Sequence, residues 1–112
     1  MKKKINIAII GLGNIGSYLY KYLLDNEAIL TKKTNVIPNV LYISAKNKLK
    51  KRNIKIKKNL WINNYMNAVN DKSVDIIVEL IGGSDGDAKR LVFEALKNKK
   101  HVVTANKALI AK

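Results

Sequence analysis

Residues 5–16 read INIAIIGLGNIG, an apolar run that ends in a glycine-rich segment. The run at Ile5–Ile10 is short and almost continuously apolar, which is typical of a strand buried on both faces of a parallel sheet. Beyond the glycines, apolar side chains recur at positions 15, 18, 19, 22 and 23, a spacing that places them on one face of an α-helix. The stretch therefore predicts a β-strand, a tight turn and an α-helix in direct succession.

The same alternation of strand and helix continues along the rest of the chain. Strands are predicted at Val40–Ala45, Val74–Leu80 and His101–Thr104, and a shorter edge strand at Ile54–Ile56. A second helix follows from the apolar positions 88, 91, 92, 95 and 96. This alternation predicts an α/β domain of the Rossmann-like, doubly wound type, with about five parallel strands in the order 3-2-1-4-5 and helices on both faces.

Length and composition limit the kinds of protein to consider. The 112 residues correspond to one domain, residues 1–112, with 22 Lys and Arg against 8 Asp and Glu and a formal net charge of +14. The absence of cysteine excludes disulfides and thiolate chemistry, and with one histidine we expect no metal site. No apolar run has membrane-spanning length, and the run behind the first lysines is too short for a secretory signal, which predicts a cytoplasmic protein.

The positive charge by itself would attract nucleic acid without selectivity. No aromatic residue is interleaved with the lysines of residues 46–58, and no nucleic-acid recognition motif is visible. We therefore expect neither a specific nucleic-acid partner nor a membrane partner.

The glycines of residues 11–16 follow the pattern G-x-G-x-x-G. Between a strand and a helix, this pattern is the fingerprint of a dinucleotide site. Gly11 would permit the tight turn, Gly13 would let the backbone approach a pyrophosphate, and Gly16 would let the helix pack close to the strand. The N–H groups of the helix N-terminus would then face the phosphates. The alternative is a glycine-rich turn that binds nothing.

The charges that follow the second strand bear on the choice of cofactor. A site for NAD presents an acid that binds the ribose 2′-hydroxyl about 20 residues beyond the glycines, but residues 28–70 contain no Asp or Glu. Lys46, Lys48 and Arg52 lie there instead, and cations suit the 2′-phosphate of NADP. We expect NADP to be preferred, with NAD possible. The alternative is one more loop of a lysine-rich chain.

Polar residues also follow the later strands. Glu79 lies near the end of a buried strand, where a carboxylate needs partners, so we place it in the crevice at the carboxyl edge of the sheet. Gly82, with Gly83, would let the backbone approach a ligand there, the alternative being a plain turn between strand and helix. Asn106 and Lys107 could contact substrate or nicotinamide. His101 is expected to be structural, and Asp85 and Asp87 are expected to cap the following helix.

Three segments together resemble the N-terminal part of homoserine dehydrogenase. They are GLGNIG at 11–16, ELIGG at 79–83 and HVVTANKALIA at 101–111, and the resemblance is weakest over residues 26–69. It implies interconversion of L-aspartate 4-semialdehyde and L-homoserine with NAD(P)H, a step toward threonine, methionine and isoleucine.

The resemblance also implies roles for individual residues. The basic residue of the family corresponds to Lys46, although Asn47 follows it where the family usually has Asp. Lys107 corresponds to the lysine that assists catalysis or holds substrate. The remaining cofactor contacts would be Gly11, Gly13, Asn14, Ile15, Gly16, Gly82, Ala105 and Asn106.

Family members run to several hundred residues and are homo-oligomers. The resemblance therefore implies that the 112 residues form an incomplete NAD(P)-binding domain and that the family's substrate domain is absent. On their own, these residues are expected not to catalyse the reaction. Two alternatives are an NAD(P)-binding sensing module without catalysis and an enzyme like aspartate dehydrogenase.

Overall fold

The computed structural model describes residues 3–12, 14–45, 56, 58–81 and 87–104. Over these residues the strands are β1 (Lys3–Ile10), β2 (Val36–Ser44), β3 (Ile76–Glu79) and β4 (His101–Thr104). The α-helices are α1 (Asn14–Asp25), α2 (Glu27–Thr34), α3 (Met66–Val69) and α4 (Asp87–Lys97), and a 3-10 turn spans Lys58–Leu60. None of the described helices is long and apolar enough to cross a membrane.

The described strands form one parallel sheet in the order β2-β1-β3-β4. Central β1 pairs with β2 on one side and β3 on the other, so that Ile10 lies between Ser44 and Glu79. This order matches the predicted arrangement of the four strands concerned. The parallel, doubly wound α/β class is therefore confirmed.

The edge strand predicted at Ile54–Ile56 is not part of the described sheet. Ile56 has no strand structure, and Ile54 and Lys55 lie outside the described residues. The edge beside β2 instead carries a single parallel bridge between Ile43 and Trp61, where Ile62 N donates to Ile43 O at 3.0 Å. Because the 3-10 turn immediately precedes Trp61, the chain reaches this edge only briefly, and the described sheet has four strands instead of about five.

Alternating side chains of β1 enter two separate cores, one on each face of the sheet. Ile7 and Ile9 pack toward α1, whereas Ala8 and Ile10 pack toward α3 and α4. Both faces of β1 are covered, which explains why its sequence is continuously apolar. The expectation of helices on both faces is thereby confirmed.

The packed face of α1 matches only part of the face predicted by its apolar spacing, since Leu19 and Leu23 pack into the core as expected. Ile15, Tyr18 and Tyr22 are exposed, and the rings of the two tyrosines stack with centroids 6.3 Å apart. Tyr20 is buried instead, on the same side as Gly16, one turn earlier. The packed face therefore combines Leu19 and Leu23 with the row of Gly16 and Tyr20, where glycine permits close approach.

The second predicted helix face is confirmed at three of its positions. On α4, Ala88, Leu91 and Ala95 are buried, whereas Leu96 is exposed. The short helix α2 was not predicted; its apolar positions lack helical spacing, and Thr31 is its one buried residue.

A polar cluster lies below the amino-terminal ends of β3 and β4. The buried Lys100 donates from Nζ to the carbonyl oxygens of Asp71 and Val74, at 2.7 and 2.8 Å. The Asp71 carboxylate accepts hydrogen bonds from the Ser73 hydroxyl and amide and from the Tyr42 hydroxyl. These bonds, with that from the Ser73 hydroxyl contributing most, lower the pKa of Asp71 to about 2.

We expect this carboxylate to make the stability depend on acid pH. Because folding lowers its pKa, its contribution is complete above the ordinary value of 3.8 and is lost as the pH falls toward about 2. Asp71→Asn should reduce the free energy of unfolding at pH 7 by about 1 kcal/mol, allowing for solvent screening. Urea unfolding of both proteins from pH 7 down to pH 3 should show this difference narrowing below pH 4.

Asp25→Asn is the matched control, because its ion pair with Lys21 is exposed on both sides and contributes little. If Asp71→Asn has the same free energy of unfolding as the wild type at pH 7, the lowered pKa of Asp71 does not stabilise the fold. A loss of stability at pH 3 as large as that at pH 7 would likewise contradict a role of the lowered pKa in stability.

Candidate cofactor site

The connections of the sheet change sides between the carboxyl ends of β1 and β3, and we refer to this edge as the crevice. From β1 the chain passes through α1 to β2 on one side, and from β3 it passes through α4 to β4 on the other. The carboxyl ends of β1 and β3 are neighbours, with Ile10 opposite Glu79. Open α/β sheets bind ligands at such a point, because the two connections part there.

Gly11 occupies the end of β1 in a conformation that other residues rarely adopt. Its φ is +102°, and a Cβ at this position would lie 2.6 Å from Leu80 C and 2.7 Å from Leu80 O. Its N–H donates to Ser44 O at 2.7 Å, which ties the turn to the end of β2. The expected tight turn at Gly11 is therefore confirmed, and no side chain fits there.

Gly16 brings the first turn of α1 against this glycine turn. A Cβ on Gly16 would lie 2.6 Å from Gly11 O, so the helix packs directly on the turn. The expected close packing of helix on strand is confirmed. The N-terminus of α1, which begins at Asn14, consequently lies at the crevice with the positive end of its dipole.

Glu79 is fully buried at the carboxyl end of β3 and has the partners that burial requires. Its Oε2 accepts from Ile81 N at 2.7 Å, and its Oε1 accepts from Thr104 Oγ1 at 2.5 Å. The carboxyl ends of β3 and β4 are therefore joined through one side chain.

The described part of the chain brings together some of the predicted site residues. Gly11, Ile15 and Gly16 lie at the crevice with the backbone of Asn14, and the Ile15 side chain is exposed there. The other predicted contacts lie outside the described residues: Gly13, the Asn14 side chain, Lys46, Gly82, Ala105, Asn106 and Lys107.

Several of these residues nevertheless continue directly from described strand ends. Lys46 follows Ala45, just after β2, and residues 105–107 follow Thr104, the last residue of β4. Both strands end at the crevice edge. Lys48, Arg52 and Asp85 also lie outside the described residues, as does the Asp87 side chain.

The opposite edge of the sheet has a different character. His101 begins β4 there, as predicted, and lines a cleft of about 340 Å³ together with Lys72, Asp75 and Lys99. This cleft has no glycine turn, and no group of three or more acidic or histidine side chains that could hold a metal occurs among the described residues.

Sequence reasoning missed two contacts of the site. The Leu80–Ile81 peptide against Gly11 and the Thr104 hydroxyl on Glu79 join segments far apart in the chain. A carboxylate inside an apolar run indicated that a partner was needed, but no local periodicity identified Thr104.

We predict that Gly16→Ala destabilises the fold even though alanine favours helices. The added Cβ meets backbone at 2.6 Å, and the resulting strain should lower the free energy of unfolding by about 1–3 kcal/mol. Ser17→Ala, on the next residue of α1, is the control and should change it by less than about 0.5 kcal/mol. Denaturant unfolding of both variants tests this, and a stabilised Gly16→Ala protein would show that helix and turn are not in contact.

The chain is similar to proteins described as homoserine dehydrogenases. Residues 11–112 match the family model described as the NAD binding domain of homoserine dehydrogenase. The homoserine dehydrogenase of Bacillus subtilis is 33% identical over 109 residues, covering 97% of this chain and 25% of that protein. The enzyme of Methylobacillus glycogenes is 36% identical over 109 residues, covering 97% of this chain and 26% of its own length.

Solved structures agree with these sequence relatives. The Staphylococcus aureus homoserine dehydrogenase at pH 7.5 superposes with a TM-score of 0.88 and 38% identity, over 97% of this chain and 27% of that one. The Thiobacillus denitrificans enzyme gives 0.84 and 34%, over 98% and 25%. This chain spans about a quarter of the length of these relatives. It belongs to the homoserine dehydrogenase family and corresponds to the domain that binds the nicotinamide cofactor.

Proposed function

We propose that this chain holds NADP(H), in preference to NAD(H), for a homoserine dehydrogenase reaction. The cofactor would exchange a hydride with the aldehyde carbon of L-aspartate 4-semialdehyde, giving L-homoserine. The observation that carries the proposal is the glycine turn at Gly11, packed under the first turn of α1 at the crevice between β1 and β3.

The glycine turn would receive the pyrophosphate. Gly11 and Gly16 keep the turn and the helix in contact, which leaves the N–H groups of the first helical turn directed at the crevice. Gly13 would let the backbone approach the phosphates, and Asn14 would contact them from the start of the helix. The exposed Ile15 offers apolar surface beside the bound cofactor.

The segment after β2 would determine the preference for NADP. Residues 28–70 offer no carboxylate for a ribose 2′-hydroxyl, whereas Lys46, Lys48 and Arg52 offer three cations for a 2′-phosphate. Lys46 follows Ala45 at the end of β2, the strand whose Ser44 carbonyl binds Gly11 N. The support for the preference is this charge pattern of the sequence, which begins just after the described end of β2.

The segment after β4 would contact the nicotinamide ring and the substrate. Ala105, Asn106 and Lys107 follow Thr104, whose hydroxyl is bound by Glu79 at the crevice. The Lys107 amine would hold the substrate oxygen or assist its protonation, and Gly82, after β3, would let the backbone approach the ligand. Homo-oligomerisation and a cytoplasmic location stay predictions for the whole protein.

We expect NADPH to bind about 10- to 100-fold more tightly than NADH, since one charge-assisted bond contributes about 1.5–3 kcal/mol. Calorimetric titration with each nucleotide tests this, and Lys46→Ala should reduce the difference. Lys33→Ala is the matched control, because Lys33 is exposed near the start of β2, at the opposite edge of the sheet.

Two results would count against this proposal. Equal affinities for the two nucleotides at both low and high salt would rule out the NADP preference, because high salt removes unselective attraction to lysines. Normal binding by Gly13→Val would show that the glycine turn does not hold the pyrophosphate.

We also expect the 112 residues on their own to bind NADPH without oxidising homoserine. Hydride transfer requires the substrate to be held over the nicotinamide. About three quarters of the length of the relatives lies outside the part that this chain matches, and we expect the groups that hold the substrate to belong there. A spectrophotometric assay at high protein concentration, with homoserine and NADP+ supplied, should show no reduction of NADP+ to NADPH. Turnover that disappears in Lys107→Ala would show that this segment suffices for catalysis.

A further inference from the structure

Among the described residues, Glu79 is the one acidic residue that is buried, and it lies within the candidate cofactor site. Its exposed fraction is 0%, and its carboxylate bonds to two different segments, the Ile81 amide and the Thr104 hydroxyl. Burying a carboxylate costs free energy that an apolar side chain of similar size would not. Such a group at the carboxyl edge therefore calls for a functional explanation.

The hydrogen bond from Ile81 to Glu79 involves the peptide that packs against Gly11. Ile81 N donates to Glu79 Oε2 at 2.7 Å, and the same nitrogen lies 2.8 Å from the position of a Cβ on Gly11. The Leu80 amide of the same segment donates to Ile10 O at 2.8 Å. The orientation of the Leu80–Ile81 peptide thus determines where the turn at Gly11 can lie.

The second bond reaches the end of the next strand. Glu79 and Thr104 are paired in the parallel register of β3 and β4, and Thr104 Oγ1 donates to Glu79 Oε1 at 2.5 Å. Thr104 is the last described residue before Ala105, Asn106 and Lys107. A single carboxylate therefore relates the glycine turn to the point from which the nicotinamide-side segment departs.

We propose that Glu79 is a positioning residue for the cofactor. Through the Leu80–Ile81 peptide it sets the place of the pyrophosphate turn, and through Thr104 it fixes the carboxyl end of β4. The two halves of the dinucleotide then meet a preorganised edge. This role rests on these two contacts, since the Glu79 side chain is fully buried. The inference rests on the proposed function and adds a residue to it.

The test compares Glu79→Gln with Glu79→Met in the full chain. The glutamine keeps an oxygen for Ile81 N, and its amide can donate to the Thr104 hydroxyl, whereas methionine of similar size removes both acceptors. We expect NADPH affinity within about threefold of wild type for Gln, and reduced by about tenfold or more for Met. The Gly11 and Thr104 amide signals in NMR spectra should shift in the Met variant and stay in place in the Gln variant.

Ile77→Ala is the control for a purely structural effect, since Ile77 is fully buried on the same strand but lies away from the crevice. It should lower stability and leave the NADPH affinity of the folded protein unchanged. If Glu79→Met folds and binds NADPH as wild type does, or if Ile77→Ala loses affinity equally, the proposal is wrong. If Glu79→Met does not fold, the NADPH affinity of Thr104→Val decides the question. This change replaces the hydroxyl that donates to Glu79 with a methyl group of similar size, and it should still weaken binding.

Nucleotide binding by the wild-type chain tests the proposed function, whereas the amide signals of the variants test the positioning role of Glu79 separately. If the wild-type chain binds neither nucleotide, the proposed function fails. The positioning claim is then decided by the Gly11 and Thr104 amide signals alone. They should still shift in Glu79→Met and remain in place in Ile77→Ala, and unchanged signals in Glu79→Met would overturn it.

Discussion

The close contact between Gly11 and the Leu80–Ile81 peptide fixes how β1, β3 and α1 meet at the carboxyl edge of the sheet. A Cβ at Gly11 would lie 2.6 Å from Leu80 C, so the ends of β1 and β3 meet with no room for a side chain. The turn can then bend sharply enough for α1 to begin at Asn14 and pack on it through Gly16. Without this contact, the helix N-terminus would not lie at the crevice.

The two edges of the sheet are stabilised differently. At the amino-terminal edge, Asp71 and Lys100 join the segments that precede β3 and β4, and the low pKa of Asp71 reflects how many donors it accepts from. At the carboxyl edge, backbone contacts at Gly11 and the buried Glu79 leave the peptide groups of the turns close together. The first arrangement supports the fold, whereas the second forms a surface suited to the phosphates of a dinucleotide.

Local sequence patterns located β1 and β3 because both are apolar runs buried on both faces of the sheet. β2 begins at Val36, four residues before the predicted Val40, since Pro38 and Asn39 interrupt its apolar pattern. The face of α1 was predicted only in part. Leu19 and Leu23 pack into the core as expected, whereas Tyr18 is exposed and Tyr20 is buried, because the contact of Gly16 with the turn brings the Gly16–Tyr20 side of the helix against the sheet. The strand at Ile54–Ile56 was inferred from alternation alone. Pairing at that edge depends on where the chain returns to β2, which it does at Trp61.

The candidate site shows the same division between local and long-range information. The spacing of the glycines located the turn, because its geometry is set within a few residues. The Glu79–Thr104 bond could not be predicted, since it depends on the register of β3 against β4. The roles of Lys46 and Lys107 rest on the sequence and on the family, and both residues lie outside the described part of the chain.

The most direct test of a dinucleotide site at the β1–β3 crevice is a map of backbone amide shifts in NMR spectra as NADPH is added. The largest changes should fall at the carboxyl edge of the sheet, at Gly11, Ile15, Gly16, Ser44, Ile81 and Thr104. The amino-terminal edge, including Val36, Asp75 and His101, should remain unchanged. Shifts centred on that opposite edge, or spread over the surface lysines and removed by salt, would contradict the account.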